Sequence, residues 1–443
     1  MYKASDTMLE KKVYQIYGGR TLPPTVLAGT DLNSGFMPVQ RVFYFAGRPD
    51  VTRLQKSLGA ALALWPDFAG TVIRHKGTLA IDRNDTGVRM TVETFDAPVP
   101  AFGMDVPLGL PVSFCDEAIS AKPDDGGPVF TVRISIYNDN HWILGTCNSH
   151  ALCDGSGYWQ LMRSWRDAFH GAALQEMHSD FMRYVARREV NPACASVPPH
   201  MKVPPVSLIK KQIANAGIYR TQQTLLSQQA IEQLKSAINA SLAPDWVSSQ
   251  DAVMALVWQS LAVVLLREGE SGEQDFPLAN VINIRPHLGL ENYTGNMAYS
   301  VSSHATLADI AGASLSQLAY RLRQDSQQVS RDNIQQHLCF MQEQLDGGHY
   351  NTAGYFTGFS SAIAGECVHG KAVMINNWSK FPAYAMDFSC APLWFDLATI
   401  IPMHFVMTMP SPDGVVIRLF LPDSQLSGVL SQLHEKMAIP PEI

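Results

Sequence analysis

Charge is scarce in this 443-residue sequence and nowhere concentrated: 16% of the residues are Asp, Glu, Lys or Arg, with a formal balance of -7. With a pI near 6.0, that balance leaves no electrostatic footprint for nucleic acid, although one basic cleft for a phosphorylated ligand stays compatible with it. Long apolar runs are missing too. Stretches such as Leu261–Leu266 fall far short of the roughly 20 residues a membrane helix needs, so no membrane association is expected. The opening MYKASDTMLEKKVYQ lacks the apolar core of a secretion signal. Cysteine pairs are absent as well. The seven cysteines (115, 147, 153, 194, 339, 367 and 390) are odd in number and include no CxxC, which predicts reduced, buried thiols in a cytoplasmic protein. Histidines and cysteines never cluster at ligand spacing, so no metal site is expected. No low-complexity tract or short tandem repeat is present.

What is present is an ordinary, rather apolar globular composition, 46% hydrophobic. The length exceeds what one core serves comfortably, and two domains of similar size are expected: residues 1–190 and 216–443, joined by a linker at 191–215. The linker contains a proline-rich stretch without periodicity between about Asn191 and Pro205. Leu54, Leu58, Ala61, Leu62 and Trp65 share one helical face before Pro66 stops the helix, and a strand is expected at 69–74. Alternation marks Pro128–Tyr137 as a half-buried strand, and His141–Asn148 reads as a more central one. The next helix carries Tyr158, Leu161, Met162, Trp165 and Phe169 on one side. In the second half, Ser248 and Asp251 resemble a helix start ahead of Val253, Leu256, Val257, Leu261 and Val264. Late strands are expected at Val373–Asn376, His404–Met409 and Gly414–Leu421. The pattern is α/β.

Chemistry concentrates in Ser149-His150-Ala-Leu-Cys-Asp154-Gly155-Ser-Gly157, where an apolar strand ends and a helix is about to begin. Histidine is the side chain best suited to take a proton near neutrality, and a strand end lets it project into a cleft. Gly155 and Gly157 allow a sharp turn and close approach. The HxxxD spacing alone arises by chance about once in a chain with this many histidines, so the residues leave two readings open: a catalytic base or a structural histidine. Covalent nucleophiles fit less well. Cys153 sits in an apolar stretch, Ser149 should face away from His150, and Ser156 lacks the spacing of a nucleophile elbow.

Six segments, in order, resemble the BAHD acyltransferases. His150–Gly155 resembles the family's HxxxDG, and LQKSLGAALALWPDFAG from Leu54 is similar to its early helix and strand. SSQDAVMALVW from Ser248, INIRPHL from Ile282 and YTGNMAYSV from Tyr293 resemble its second-domain motifs. NNWSKFPAYAMDF from Asn376 leads into the place of the family's DFGWG, which here reads Asp387-Phe-Ser-Cys-Ala391. The resemblance implies two chloramphenicol-acetyltransferase-like α/β domains, each a mixed sheet with flanking helices, around an active-site channel at their interface. It also implies that a segment near 376–410 crosses back to the first domain.

By the same resemblance, an acyl-CoA is the co-substrate, no cofactor is permanently bound, and a small acceptor presents a hydroxyl or amine. His150 is the general base. Asp154 is structural and pairs with Arg285, Gly155 shapes the turn, and Trp378 is a candidate oxyanion or acyl contact. No donor-binding residue is assigned, and the loss of both DFGWG glycines puts the donor site in question. A monomer is implied. Two rivals share the scaffold. One is a stand-alone condensation enzyme drawing its acyl group from an acyl carrier protein, although Ser149 stands where such enzymes carry a second histidine. The other is a non-catalytic ligand-binding member.

Overall fold

Alternating β-branched and aromatic residues build two mixed six-stranded sheets, and the apolar helix faces cover them. The computed structural model describes residues 8–32, 35, 37–104, 106, 114–116, 119, 123–174, 201–202, 206–291, 293–346, 360–398 and 401–438. In the first sheet the strands run side by side as Met8–Ile16, Val88–Phe95, Phe130–Ile136, His141–Ser149, Pro38–Ala46 and Trp394–Leu397. Val88–Phe95 and Phe130–Ile136 are parallel, and the other pairings are antiparallel. His141–Ser149, read from its apolar content as central, has a partner on both edges and is almost wholly buried. The helices Val51–Leu64 and Gly155–Phe169 pack against each other. Trp165 donates its indole N–H to the Leu54 carbonyl at 3.1 Å, and Trp65 donates to Ser164 Oγ at 2.9 Å. The strand expected at 69–74 is Thr71–His75, which joins Thr78–Asp82 and Thr25–Val26 in a small separate sheet.

The second large sheet runs Tyr219–Ser227, Gly414–Pro422, Phe405–Ser411, Val373–Asn377, Leu278–Asn283 and Ala298–Ser303. Against it lies Ser249–Arg267, whose N-terminus is closed by the expected pair: Ser248 Oγ accepts from Asp251 N, and the Asp251 carboxylate accepts from Ser248 N. This 19-residue helix is long and apolar enough to cross a bilayer, which counting only short apolar runs did not reveal. Its most apolar window is 78% buried in protein, as a core helix is.

The halves are knitted together. Trp394–Leu397 pairs antiparallel with Pro38–Ala46 and so completes the first sheet from the far end of the chain. Its Asp396 holds Arg418 of the second sheet in a fully buried ion pair, and Gln223 Oε1 accepts from Arg418 Nη2 at 2.8 Å. Most of the proline-rich 191–205 stretch lies outside the described residues. Met201–Lys202 forms a short strand with Ser360–Ser361, and Val206–Asn215, assigned to the linker from sequence, is a helix. The whole is the two-domain, mixed α/β architecture expected.

Candidate active site

The strand His141–Ser149 delivers His150 to its end, and a turn follows at once. His150 N donates to Met37 O at 2.8 Å, and Leu152 N donates back to Ser149 O at 3.1 Å. Asp154 then caps the helix Gly155–Phe169 by accepting from Gly157 N at 3.2 Å. The glycines are needed here for close approach. A Cβ on Gly157 would fall 2.1 Å from the Thr294 carbonyl oxygen, and one on Gly155 would fall 2.6 Å from the Phe381 ring. Both neighbours belong to the second half of the chain, so the bare backbone of this turn is where the halves meet.

Asp154 and Arg285 meet as the resemblance implied. Arg285 Nη1 lies 2.8 Å from Asp154 Oδ2 and Nη2 lies 2.9 Å from Oδ1, a bidentate pair between residues 131 apart in sequence. Met297 N adds a third donor to the carboxylate at 3.0 Å. Arg285 is 1% exposed, and its remaining N–H groups donate to the carbonyls of Tyr293 and Gly295 and to the Asn283 side chain. Burial alone would push the Asp154 carboxyl up, but Arg285 and the backbone donors outweigh it and hold the carboxyl below its ordinary value.

His150 itself is half-buried, with Nδ1 shielded from solvent and without a partner of full hydrogen-bond geometry among the described residues. Burial is the main cause that lowers its pKa. Asp154, the His150 carbonyl and the Asn296 side chain pull the other way, and Arg41 adds to the lowering. The imidazole is therefore poised as a neutral base at neutral pH. Its backbone is held by residues the sequence did not single out. Asn296 Nδ2 donates to the His150 carbonyl at 2.8 Å, and the fully buried Asp31 accepts from Asn296 N at 2.8 Å and from Ala28 N at 2.8 Å. The alternative nucleophiles are enclosed: Ser149 is fully buried and Cys153 is 1% exposed.

Trp378 lies at the same junction. Its ring centre is 5.0 Å from the Arg41 guanidinium carbon and 5.8 Å from the Phe381 ring, and Phe381 in turn covers Gly155. The turn after Trp378 continues into a cavity of about 360 Å³ whose lining includes Lys235, Trp246, Ser248, Gln250, Asn377 and Lys380. This cavity opens at the N-terminus of Ser249–Arg267, so two lysines and a positive helix end face one space. Spacing could not have found it, because its lining comes from four separate stretches of sequence. Where DFGWG has glycine, Ser389 adopts φ 84°, a conformation glycine takes without strain and serine does not.

Comparison with known proteins agrees with this geometry. The Transferase family model matches residues 44–436. Anthranilate N-benzoyltransferase protein 1 of Dianthus caryophyllus is 22% identical over 379 residues, 82% of this chain and 80% of that one. TRI101 of F. graminearum, solved with ethyl coenzyme A, superposes with a TM-score of 0.71 at 19% identity, covering 94% of this chain and 96% of that one. Vinorine synthase superposes with a TM-score of 0.70 at 16% identity and covers 97% of each chain.

Proposed function

Because the chain belongs to the Transferase family, the BAHD-type acyltransferases, we propose that it moves an acyl group from a coenzyme A thioester to the hydroxyl or amine of a small acceptor, with His150 as general base. The observation that carries this reading is the placement of His150: a neutral, half-buried imidazole at a strand end, its loop clamped by Asp154–Arg285 and Asn296. The acceptor oxygen or nitrogen gives its proton to the imidazole as it attacks the thioester carbonyl. The tetrahedral adduct collapses, the carbon–sulfur bond breaks, and the proton passes from the imidazolium to the departing thiolate. No covalent enzyme intermediate is needed, in keeping with the enclosed Ser149 and Cys153. Positioning of the two substrates supplies much of the rate, and the base adds about 100- to 10,000-fold.

The lysine-flanked cavity fits the phosphate-bearing part of the donor. A helix N-terminus with Lys235 and Lys380 suits anionic groups, and the 377–380 turn leads from it to Trp378 and the histidine loop. Trp378 is assigned to the acyl end. Asp154 shapes the site without moving a proton, since all its lone-pair directions are taken by Arg285, Met297 and Gly157.

The test is thiol release from a panel of acyl-CoAs with pooled alcohols and amines, comparing wild type with His150→Ala. Release that requires both an acceptor and His150 supports the reading. A folded protein that releases thiol from no CoA donor refutes the donor assignment, and acylated carrier proteins become the next donors to try.

A further inference from the structure

The reaction outlined above makes no use of Arg41. This residue stands on Pro38–Ala46 directly opposite Thr146, with its side chain on the sheet face shared by Thr146, Asn148 and the helix that follows His150. It is 1% exposed. Nη1 donates to Asn148 Oδ1 at 2.6 Å, and the guanidinium carbon lies 3.7 Å from the centre of the Tyr158 ring and 5.0 Å from that of Trp378.

Three arginines rank among the largest fully buried side chains: Arg41, Arg285 and Arg418. Arg285 holds Asp154 and Arg418 holds Asp396. Among the described residues Arg41 holds no carboxylate, and its Nε is buried without an acceptor. A guanidinium keeps its proton at any working pH, so the charge is permanent. Aromatic faces offset part of the cost of burying it, but an unpaired buried cation is otherwise strongly unfavourable. Nε and an Nη together form the fork that binds carboxylates in two-point fashion.

The location gives the unpartnered Nε of Arg41 a meaning. Asn148, which holds Nη1 and leaves the fork of Nε and Nη2 to another acceptor, precedes His150 by two residues, about 7 Å along the chain. A group bound to Arg41 therefore lies only a few bonds from the carbonyl that His150 serves. Resting on the acyl transfer proposed above, the geometry points to a carboxylate-bearing substrate whose carboxylate seats on Arg41 beneath His150. The carboxylate is either the free acid end of a short dicarboxylic acyl donor or an acid group on the acceptor.

Titration calorimetry on the intact chain separates these sources. Malonyl-CoA against isovaleryl-CoA, and succinyl-CoA against 4-methylpentanoyl-CoA, compare a terminal carboxylate with an isopropyl group of the same shape. Anthranilate against anthranilamide, in the presence of CoA, makes the corresponding comparison for an acceptor. The carboxylated member of a pair should bind about tenfold tighter or more, and in Arg41→Gln the ratio should fall to within about twofold. Arg41→Lys, which keeps the charge but not the fork, should fall between. A wild-type ratio near one in all pairs overturns the proposal, whether or not Arg41→Gln folds. Thiol release measured on the same samples distinguishes the two claims. Turnover with uniform affinities sinks only the role of Arg41, whereas carboxylate-selective binding without thiol release sinks the acyl transfer and leaves the Arg41 site standing.

Discussion

Replacing Asp154 by Asn changes one oxygen into an amide nitrogen and should cost the protein its stability before its chemistry. The carboxylate receives four donors: two from Arg285 at 2.8 and 2.9 Å, Met297 N at 3.0 Å and Gly157 N at 3.2 Å. An amide keeps one acceptor and turns an N–H toward donors, so at least one donor loses its partner and the buried Arg285 loses its counter-charge. Removing one member of a buried ion pair typically costs about 3–5 kcal/mol. Urea unfolding should therefore show a lower midpoint, with activity falling in parallel. Because the Asp154 carboxyl is held below its ordinary value, its contribution is fully present above the unfolded pKa of about 3.9. It is lost as pH falls through the folded value. The gap between wild type and variant should thus be flat near neutrality and narrow only in strong acid. A double substitution with Arg285→Met should cost far less than the two single changes added together, since no orphaned charge remains. Loss of activity with an unchanged unfolding midpoint would refute the structural role and make Asp154 part of the proton chemistry.

His150→Ala should reduce kcat/KM by about 100- to 10,000-fold with little change in melting temperature, and activity retained within tenfold would remove it as the base. The acid limb of the wild-type kcat/KM profile should have its midpoint below the ordinary histidine value of about 6.5, because burial lowers the imidazole pKa and the base must be unprotonated. A midpoint above that value would contradict the burial argument. Asn296→Ala frees the His150 carbonyl from its 2.8 Å donor and should lower kcat by roughly tenfold, equivalent to a lost hydrogen bond of about 1.4 kcal/mol, while substrate KM changes little. An effect confined to KM would place Asn296 in binding instead. Ser389→Gly relieves a side chain held at φ 84° and should raise the urea midpoint by about 1 kcal/mol of stability, whereas a lower midpoint would mean that the serine side chain makes up for its strain.

Local features were legible where the chemistry lies within one stretch of chain. The strand before His150, the apolar face of Tyr158, Leu161, Met162, Trp165 and Phe169, and the Ser248–Asp251 cap all follow from spacing along the backbone, and all are present. Arg285 was reached only through the family resemblance, because nothing within INIRPHL distinguishes a buried arginine from a surface one. Asp31 escaped notice for the same reason, and Asn296 lay inside YTGNMAYSV without a role: the two are 265 residues apart and acquire meaning only when they touch. Arg41 was harder still. In VQRVFYF a charge suggests the wet side of a strand, yet Tyr158 and Trp378 cover that side. The edge strand Met8–Ile16 gave no apolar signal because most of its residues are exposed.

The strand Trp394–Leu397 has a bearing on how the chain is born. It is the neighbour of Pro38–Ala46 but emerges from the ribosome about 350 residues later, a delay of roughly 20–70 s at translation rates of about 5–20 residues per second. Throughout that interval an almost wholly buried strand must wait with an open hydrogen-bonding edge, the kind of surface that recruits other chains. The first half therefore cannot finish folding as it is synthesised. Cells making this protein quickly, or making its first half alone, should see it captured by chaperones or lost to aggregation until the late strand arrives.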